Sequence, residues 1–247
     1  MTGVELDETA FAGPEHLDPA SVAGYDRKAA FDPADDVAVL RSHGLEDDST
    51  VIDFGAGTGT FALAVAPYCR RVIAVDVSPA MVAALRAKAA NMGAVNITPV
   101  RAGFLGYAHD GDPVEAVYSR NALHHLPDLW KVIAIRRMAG LLVTGGILRL
   151  RDLVFSFPAS GAEAGIERWI DATATDRPDI GWTRTELETH VRDEHSTFTW
   201  LLEPMLVQAG FEIVEAAYAA IGAYADYTCV RSSGSSAASS RRPSPHA

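Results

Sequence analysis

The order of apolar runs predicts an α/β protein: a doubly wound, Rossmann-like sheet of seven strands, mostly parallel, closed by an antiparallel strand and with helices on both faces. Three observations carry this. Short strand-like runs alternate with helical periods from residue 50 to residue 155. A glycine turn, GAGTG, lies where the first strand gives way to a helix. Two apolar runs near the C-terminus are joined by a short connection containing Gly222, as an antiparallel pair requires.

The elements follow in order. Residues 1–24 have no sustained apolar period and read as an extended arm, the start of an arm or lid over residues 1–31. Asp32 as N-cap and Pro33 at the first helical position open a helix that carries Val37 and Leu40 and stops at Gly44. Residues 50–54 (TVIDF) are a buried strand ending at the glycine turn, and a helix follows up to Pro67. Residues 71–77 (RVIAVDV) form the second strand. Ser78 and Pro79 repeat the cap-plus-proline signal for a helix running to Gly93. Residues 96–101 are a third strand, placed at an edge by Pro99, whose missing N–H cannot serve a central ladder. Residues 114–119 are the fourth, residues 129–142 an amphipathic helix, and residues 145–155 (GGILRLRDLVF) the fifth strand.

Residues 158–203 break the rhythm and read as an insertion within a domain spanning 32–231. They hold three of the four tryptophans and two candidate capping boxes, Thr183 with Glu186 and Thr185 with Glu188. A helix then leads to Gly210, followed by the closing strands at 211–216 and 224–230. The serine-rich tail, residues 232–247, is expected to be disordered.

A chain of 247 residues that is 48% hydrophobic suits one such domain with a full core. Two cysteines, Cys69 and Cys229, make neither a disulfide framework nor a zinc site, and no metal is expected. The first twenty residues lack a basic, apolar leader, and no run reaches the ~18 apolar residues of a spanning helix, so a cytoplasmic chain without a membrane partner is expected. The net charge of −11 argues against nucleic acid, but it is unevenly placed. Residues 1–50 hold twelve acids and three bases (net −9), leaving net −2 for the rest. An anionic acceptor is therefore not excluded by charge.

The strongest functional signal is Asp53-Phe-Gly55-Ala56-Gly57-Thr-Gly59 between strand and helix. Glycines let the backbone turn sharply and approach a ligand where a Cβ would intrude. The G-x-G-x-G spacing puts Thr60 where a G-x-G-x-x-G dinucleotide site has its third glycine. Asp76 ends the second strand, where a carboxylate can accept both hydroxyls of a ribose. Together with VIAVDVSPAM, VYSRNALHHLPD and GGILRLRD, this stretch resembles the class I S-adenosylmethionine-dependent methyltransferases of the broad small-molecule group, over roughly residues 50–153.

That resemblance implies S-adenosylmethionine as cofactor and assigns residues to it. Asp53 would meet the amino group, and Gly55, Ala56, Gly57 and Gly59 would line the methionine portion. Asp76 would hold the ribose, with Val77 and Met81 beside the adenine. Gly103 and Phe104 stand where many relatives carry an Asp that bonds the adenine amine, which leaves that contact to backbone or water. Ser119 and Arg120 would pass beneath the sulfonium.

Methyl transfer is an in-line displacement on an activated donor, so alignment supplies much of the acceleration and a base is needed only for an acceptor that must lose a proton. The expected activity is transfer to O or N of a small-molecule acceptor. Catalytic candidates are His124 and His125 after the fourth strand and Asp152 at the end of the fifth, each open to a plain packing or capping role instead. Arg120 would bind an acidic acceptor or pair with Asp152, while Arg149 and Arg151 would pair with helix acids. Tyr25 and Phe31 in the lid, Asn121, and Trp200 in the insertion are candidates for the acceptor pocket, with His195 and Thr197 beside Trp200. Trp169, Trp182, Phe198 and Trp200 read equally well as a small satellite core. The strand-four motif Asn121-Ala-Leu-His124 departs from the N/D-P-P-Y/F pattern of base amine methylation, and no Pro-Cys pair serves C5-pyrimidine chemistry. A non-catalytic cofactor-binding module, or an NAD-dependent oxidoreductase, would share the glycine turn. Methyl release separates the first from an enzyme, and a nicotinamide-dependent thermal shift would mark the second.

Overall fold

The computed structural model describes residues 6–233. Its seven-stranded sheet contains β1 (Thr50–Phe54), β2 (Arg71–Asp76), β3 (Ile97–Arg101), β4 (Val114–Arg120), β5 (Leu142–Asp152), β8 (Phe211–Tyr218) and β9 (Ala225–Arg231). The spatial order is β3-β2-β1-β4-β5-β9-β8. Pairings are parallel from β3 through β5, and β9 runs antiparallel to both β5 and β8. This is the expected sheet, with β3 at the edge that Pro99 required. Two short strands, β6 (Val154–Phe155) and β7 (Thr197–Phe198), pair with each other outside it.

Alternation along the strands explains why both faces are covered. Ile52, Phe54, Ile73, Val75, Val117 and Leu148 point to one face and pack with α6 (Asp128–Leu141) and α9 (Thr199–Gln208). Val51, Val72, Ala74, Ala116, Tyr118 and Ile147 point to the other, against α3 (Ala34–Ser42), α4 (Thr60–Val65) and α5 (Pro79–Met92). Phe61 of α4 stacks on Tyr118, and the Tyr118 hydroxyl donates to Asp36 of α3 at 2.8 Å. Asp36 also receives Arg149 Nε at 2.8 Å, so one buried carboxylate ties a helix to two strands.

Three expectations shift. The arm is not extended: a 3-10 turn at Glu8–Phe11 leads to α1 (Pro14–Leu17) and α2 (Pro19–Lys28). Asp18 accepts from Ser21 N and Pro19 follows it, the same cap-plus-proline start that opens α5. The helix after Asp32 begins at Ala34 with Pro33 as N-cap, although Asp32 still accepts from Ala34 N. The fifth strand stops at Asp152 rather than continuing to Phe155. There the Asp152 carboxylate turns back to accept from Leu153 N, and the chain leaves the sheet to form β6.

The insertion folds as α7 (Ala162–Thr173) and α8 (Arg184–Asp193). Of the two candidate capping boxes, Thr183 with Glu186 is the one that forms. Leu153, Phe155, Trp169, Ile170, Leu187 and Ala223 make a third, smaller core beneath it. The expected disordered tail lies outside the described residues from 234 onward. No helix among the described residues is long and apolar enough to cross a membrane.

Candidate active site

The carboxyl ends of β1, β2 and β4 open into a cleft, as expected where strand order reverses in a doubly wound sheet. Gly55 and Ala56 each donate to Val75 O, which closes the glycine turn onto β2. Gly57 N then donates to one oxygen of Asp76 at 2.8 Å, and Ser78 N donates to the other at 2.8 Å. Gly55 and Gly57 have φ of 68° and 54°, the left-handed region that favours glycine. A Cβ on Gly55 would lie 2.3 Å from that of Ala122, whereas Gly57 faces the ring of Tyr25 across open space.

Gly55, Gly57, Asp76, Val77, Met81, Gly103, Phe104, Arg120 and Asn121 reach the cleft wall, as the motif suggested. Asp53, Ala56, Gly59 and Ser119 do not. Gly59 is a packing position: its φ is 89°, and a Cβ there would press to 2.8 Å on Leu85. Ala56 is spent on the turn, and Ser119 is fully buried in β4. Asp53 is buried at the end of β1, and its Oδ2 has no hydrogen-bond partner. Burial, with the Asp76 charge adding to it, raises the Asp53 pKa well above the ordinary carboxylate value. Burial also raises Asp76, opposed by the two backbone hydrogen bonds.

The far wall comes from the arm. Ser78 donates its hydroxyl to His16 O at 2.6 Å, docking α1 on the start of α5. Glu8 reaches across to accept from Leu105 N and Gly106 N, both at 2.9 Å. Its other oxygen, Oε2, is buried and unpartnered, 2.3 Å from where a Cβ on Gly103 would sit. Glu8 and His16 therefore belong to the cleft, although the arm's lack of period hid them.

A second cavity, of about 450 Å³, opens beside the first between α2, the end of β4 and the insertion. Tyr25, Phe31, Asn121 and Arg120 line it, as do Trp169 and Trp182, so two satellite-core residues also form its wall. Trp200 does not reach it. That residue is half exposed on α9 and stacks on Phe198. His195 and Thr197 also turn elsewhere: the His195 ring packs by Phe11, and Thr197 is buried in β7. Arg120 pairs with Asp36 at 3.3 Å, not with Asp152, and covers the Phe31 ring at 4.1 Å. Arg149 pairs with helix acid Asp36 as expected, but Arg151 meets Asp226 of β9 at 3.7 Å. Arg151 also lines the cavity, with its Nε buried and unpartnered. Lys28 of α2 pairs with Glu186 of α8 and lies over the Trp182 ring, fastening the arm to the insertion.

Both chambers share a wall made by His16, Tyr25, Arg120, Asn121 and His125. Behind it, Asp152 holds the ring Nδ1 of His124 and accepts from His124 N at 3.0 Å. Asp152 itself is buried and does not line the cavity. The Nε2 of His124 lies 3.0 Å from Glu194 Oε2, which is also 2.7 Å from His190 Nδ1 and 3.6 Å from His125 Nδ1. Burial alone would lower the His124 pKa, yet Asp152 and Glu194 outweigh it and push it up to about 10. Burial, reinforced by the His124 charge, holds His125 well below the ordinary imidazole value. Glu194 and His190 went unnoticed because α8 reads simply as a polar helix.

Residues 51–146 match the profile of a methyltransferase domain family. That stretch is under half of the chain, and over it the chain is similar to methyltransferase domains. The "Uncharacterized methyltransferase YcgJ" of Bacillus subtilis is 28% identical over 127 residues, covering 51% of this chain and 49% of that protein. The chain thus spans about half the length of that curated relative. Magnesium protoporphyrin IX methyltransferase from Synechocystis, solved with bound SAM, superposes with a TM-score of 0.62 at 18% identity, over 94% of this chain and all of that one. The [4+2]-cyclase SpnF superposes at 0.61 with 16% identity, over 80% and 81% of the two chains. At these identities the structural likeness concerns the fold, and a cyclase on the same fold shows that the fold does not name the reaction. The arm and the insertion lie outside the matched stretch, and they supply most of the second cavity.

Proposed function

We propose that this chain transfers the methyl group of S-adenosylmethionine to an oxygen or nitrogen of a small aromatic acceptor bearing an anionic group. The observation that supports this reading is the wall shared by the two chambers, across which a donor in the cleft would face an acceptor in the cavity. Several groups of the first chamber suit the cofactor's parts. Gly57 leaves open the space a Cβ would narrow, and the unpartnered Asp53 oxygen is buried behind the glycine turn rather than in the chamber's wall. Asp76 keeps lone pairs for ribose hydroxyls while its backbone bonds fix it.

When bound, the cofactor supplies a methyl group already activated on sulfur. The protein's part is alignment and exclusion of water. Tyr25 and His16 bound the junction from the arm, and Trp169, Trp182 and Phe31 give the second cavity an aromatic lining. Arg151, with a free buried N–H, is placed to hold a carboxylate. His125 faces the junction between the chambers, with His124 and Asp152 fixed behind it.

The test is mass spectrometry of a metabolite extract, and of a panel of aromatic hydroxy and amino acids, incubated with the protein and methyl-labelled cofactor. Label is expected in an anionic aromatic product. Binding of S-adenosylhomocysteine with no label transfer to any acceptor would leave a cofactor-binding module instead.

A further inference from the structure

We propose that His124, His125 and Glu194 form a binding site for one divalent transition-metal ion of the iron or zinc class, on the wall of the second cavity. Their ligand atoms all lie within 4.8 Å of one another. Glu194 Oε2 stands 3.0 Å from His124 Nε2 and 3.6 Å from His125 Nδ1. Two imidazoles and one carboxylate are a donor set of intermediate softness, suited to iron(II) or zinc and poorly suited to magnesium or calcium.

Hydrogen bonding among the ligands does not account for this cluster. Glu194 Oε2 and His125 Nδ1 are buried, yet neither makes a hydrogen bond of acceptable geometry. Three imidazole nitrogens crowd one carboxylate oxygen without their N–H axes aiming at it. That arrangement suits a shared cation, since ligand lone pairs must converge on a point between them.

The surrounding groups are those a metal site needs. Asp152 takes the Nδ1 of His124 and thereby turns Nε2 toward Glu194, a carboxylate–imidazole arrangement that fixes tautomer and ring. His190 Nδ1 touches the same Glu194 oxygen at 2.7 Å, while its Nε2 is anchored on Ser196 Oγ at 2.8 Å. Three protein ligands leave coordination positions open, and all three line the cavity.

Those open positions define the acceptor further. An acceptor with a hydroxyl next to a carboxylate or carbonyl would chelate the ion, lose its hydroxyl proton to cavity water, and present an oxyanion at the shared wall. The oxygen lone pair then forms the new C–O bond as the methyl–sulfur bond breaks, and sulfur keeps that electron pair. The choice of acceptor rests on the methyl-transfer reading; the metal site does not.

The test uses the untagged chain, stripped with chelator and titrated with cobalt(II), followed by visible absorbance and calorimetry. One equivalent is expected to bind with a d–d band, and zinc should displace it. Glu194→Gln and His125→Ala should each weaken binding by about 100-fold or more, and Asp152→Asn by roughly 10–100-fold, as loss of an outer-shell partner does. His109→Ala, away from the cavity, should bind as wild type. Far-ultraviolet dichroism and a cooperative thermal transition report that each variant is folded. A folded wild-type chain that takes up neither cobalt nor zinc would overturn the site, as would unchanged cobalt affinity in both ligand variants. A chain that binds cobalt but not S-adenosylhomocysteine would overturn the methyl-transfer reading and leave the metal site standing.

Discussion

Gly103 and Glu8 show how one residue's absence is met by another. The motif reading left the adenine contact to backbone or water because position 103 has no side chain. In the folded chain an unpartnered carboxylate oxygen from Glu8 fills the space a side chain at 103 would need. We take Glu8 as the group that accepts the adenine amine. Glu8→Ala should weaken S-adenosylhomocysteine binding by about 1–3 kcal/mol, the cost of a hydrogen bond to a charged group. Gly103→Asp alone should clash with Glu8, and adding it to Glu8→Ala should restore affinity. Calorimetry that found the double variant as weak as Glu8→Ala would refute the exchange. The paired acids Asp53 and Asp76 were legible because each ends a strand beside a glycine turn. Glu8 was not, because its meaning depends on a contact spanning 97 residues.

At the scale of elements, the sheet was readable because its strands are short apolar runs bounded by glycine, proline and caps. The arm was not, although Asp18-Pro19 carries the same start signal as Ser78-Pro79. Its helices are brief, and α2 buries only Val22 among its residues, so apolar period gives no cue. The end of β5 was hidden for the opposite reason. Leu148 and Leu150 before Asp152, and Leu153, Val154 and Phe155 after it, keep a strand-like pattern through the point where Asp152 turns the chain out of the sheet. The two main core clusters are built from residue 37 onward, with Leu6 only packed against one of them. Removing residues 1–30 should therefore keep a cooperative thermal transition while lowering S-adenosylhomocysteine affinity by on the order of tenfold or more, about 1.4 kcal/mol per decade. Unchanged affinity in the truncated chain would show that the arm is not part of the site.

Across the whole molecule, the acidity that made the chain look averse to anions is concentrated in residues 1–50, and parts of it are fastened to bases elsewhere. Asp26 pairs with Lys88, and Lys28 pairs with Glu186. The second pair joins arm to insertion along the wall of the second cavity, where neither partner was identifiable from sequence spacing. Such partly exposed pairs contribute little stability, roughly 0–1 kcal/mol, and are weakened by salt. Lys28→Met should leave the melting temperature close to wild type. It should speed release of S-adenosylhomocysteine in stopped-flow displacement and remove much of the salt dependence of that rate. An off-rate identical to wild type at low and high salt would count against the pair as a fastening.

The wall shared by the two chambers carries a kinetic consequence. His16 and Tyr25 belong to the arm yet bound both compartments, so a displacement of the arm that uncovered one would uncover the other, and exchange of their occupants would be coupled.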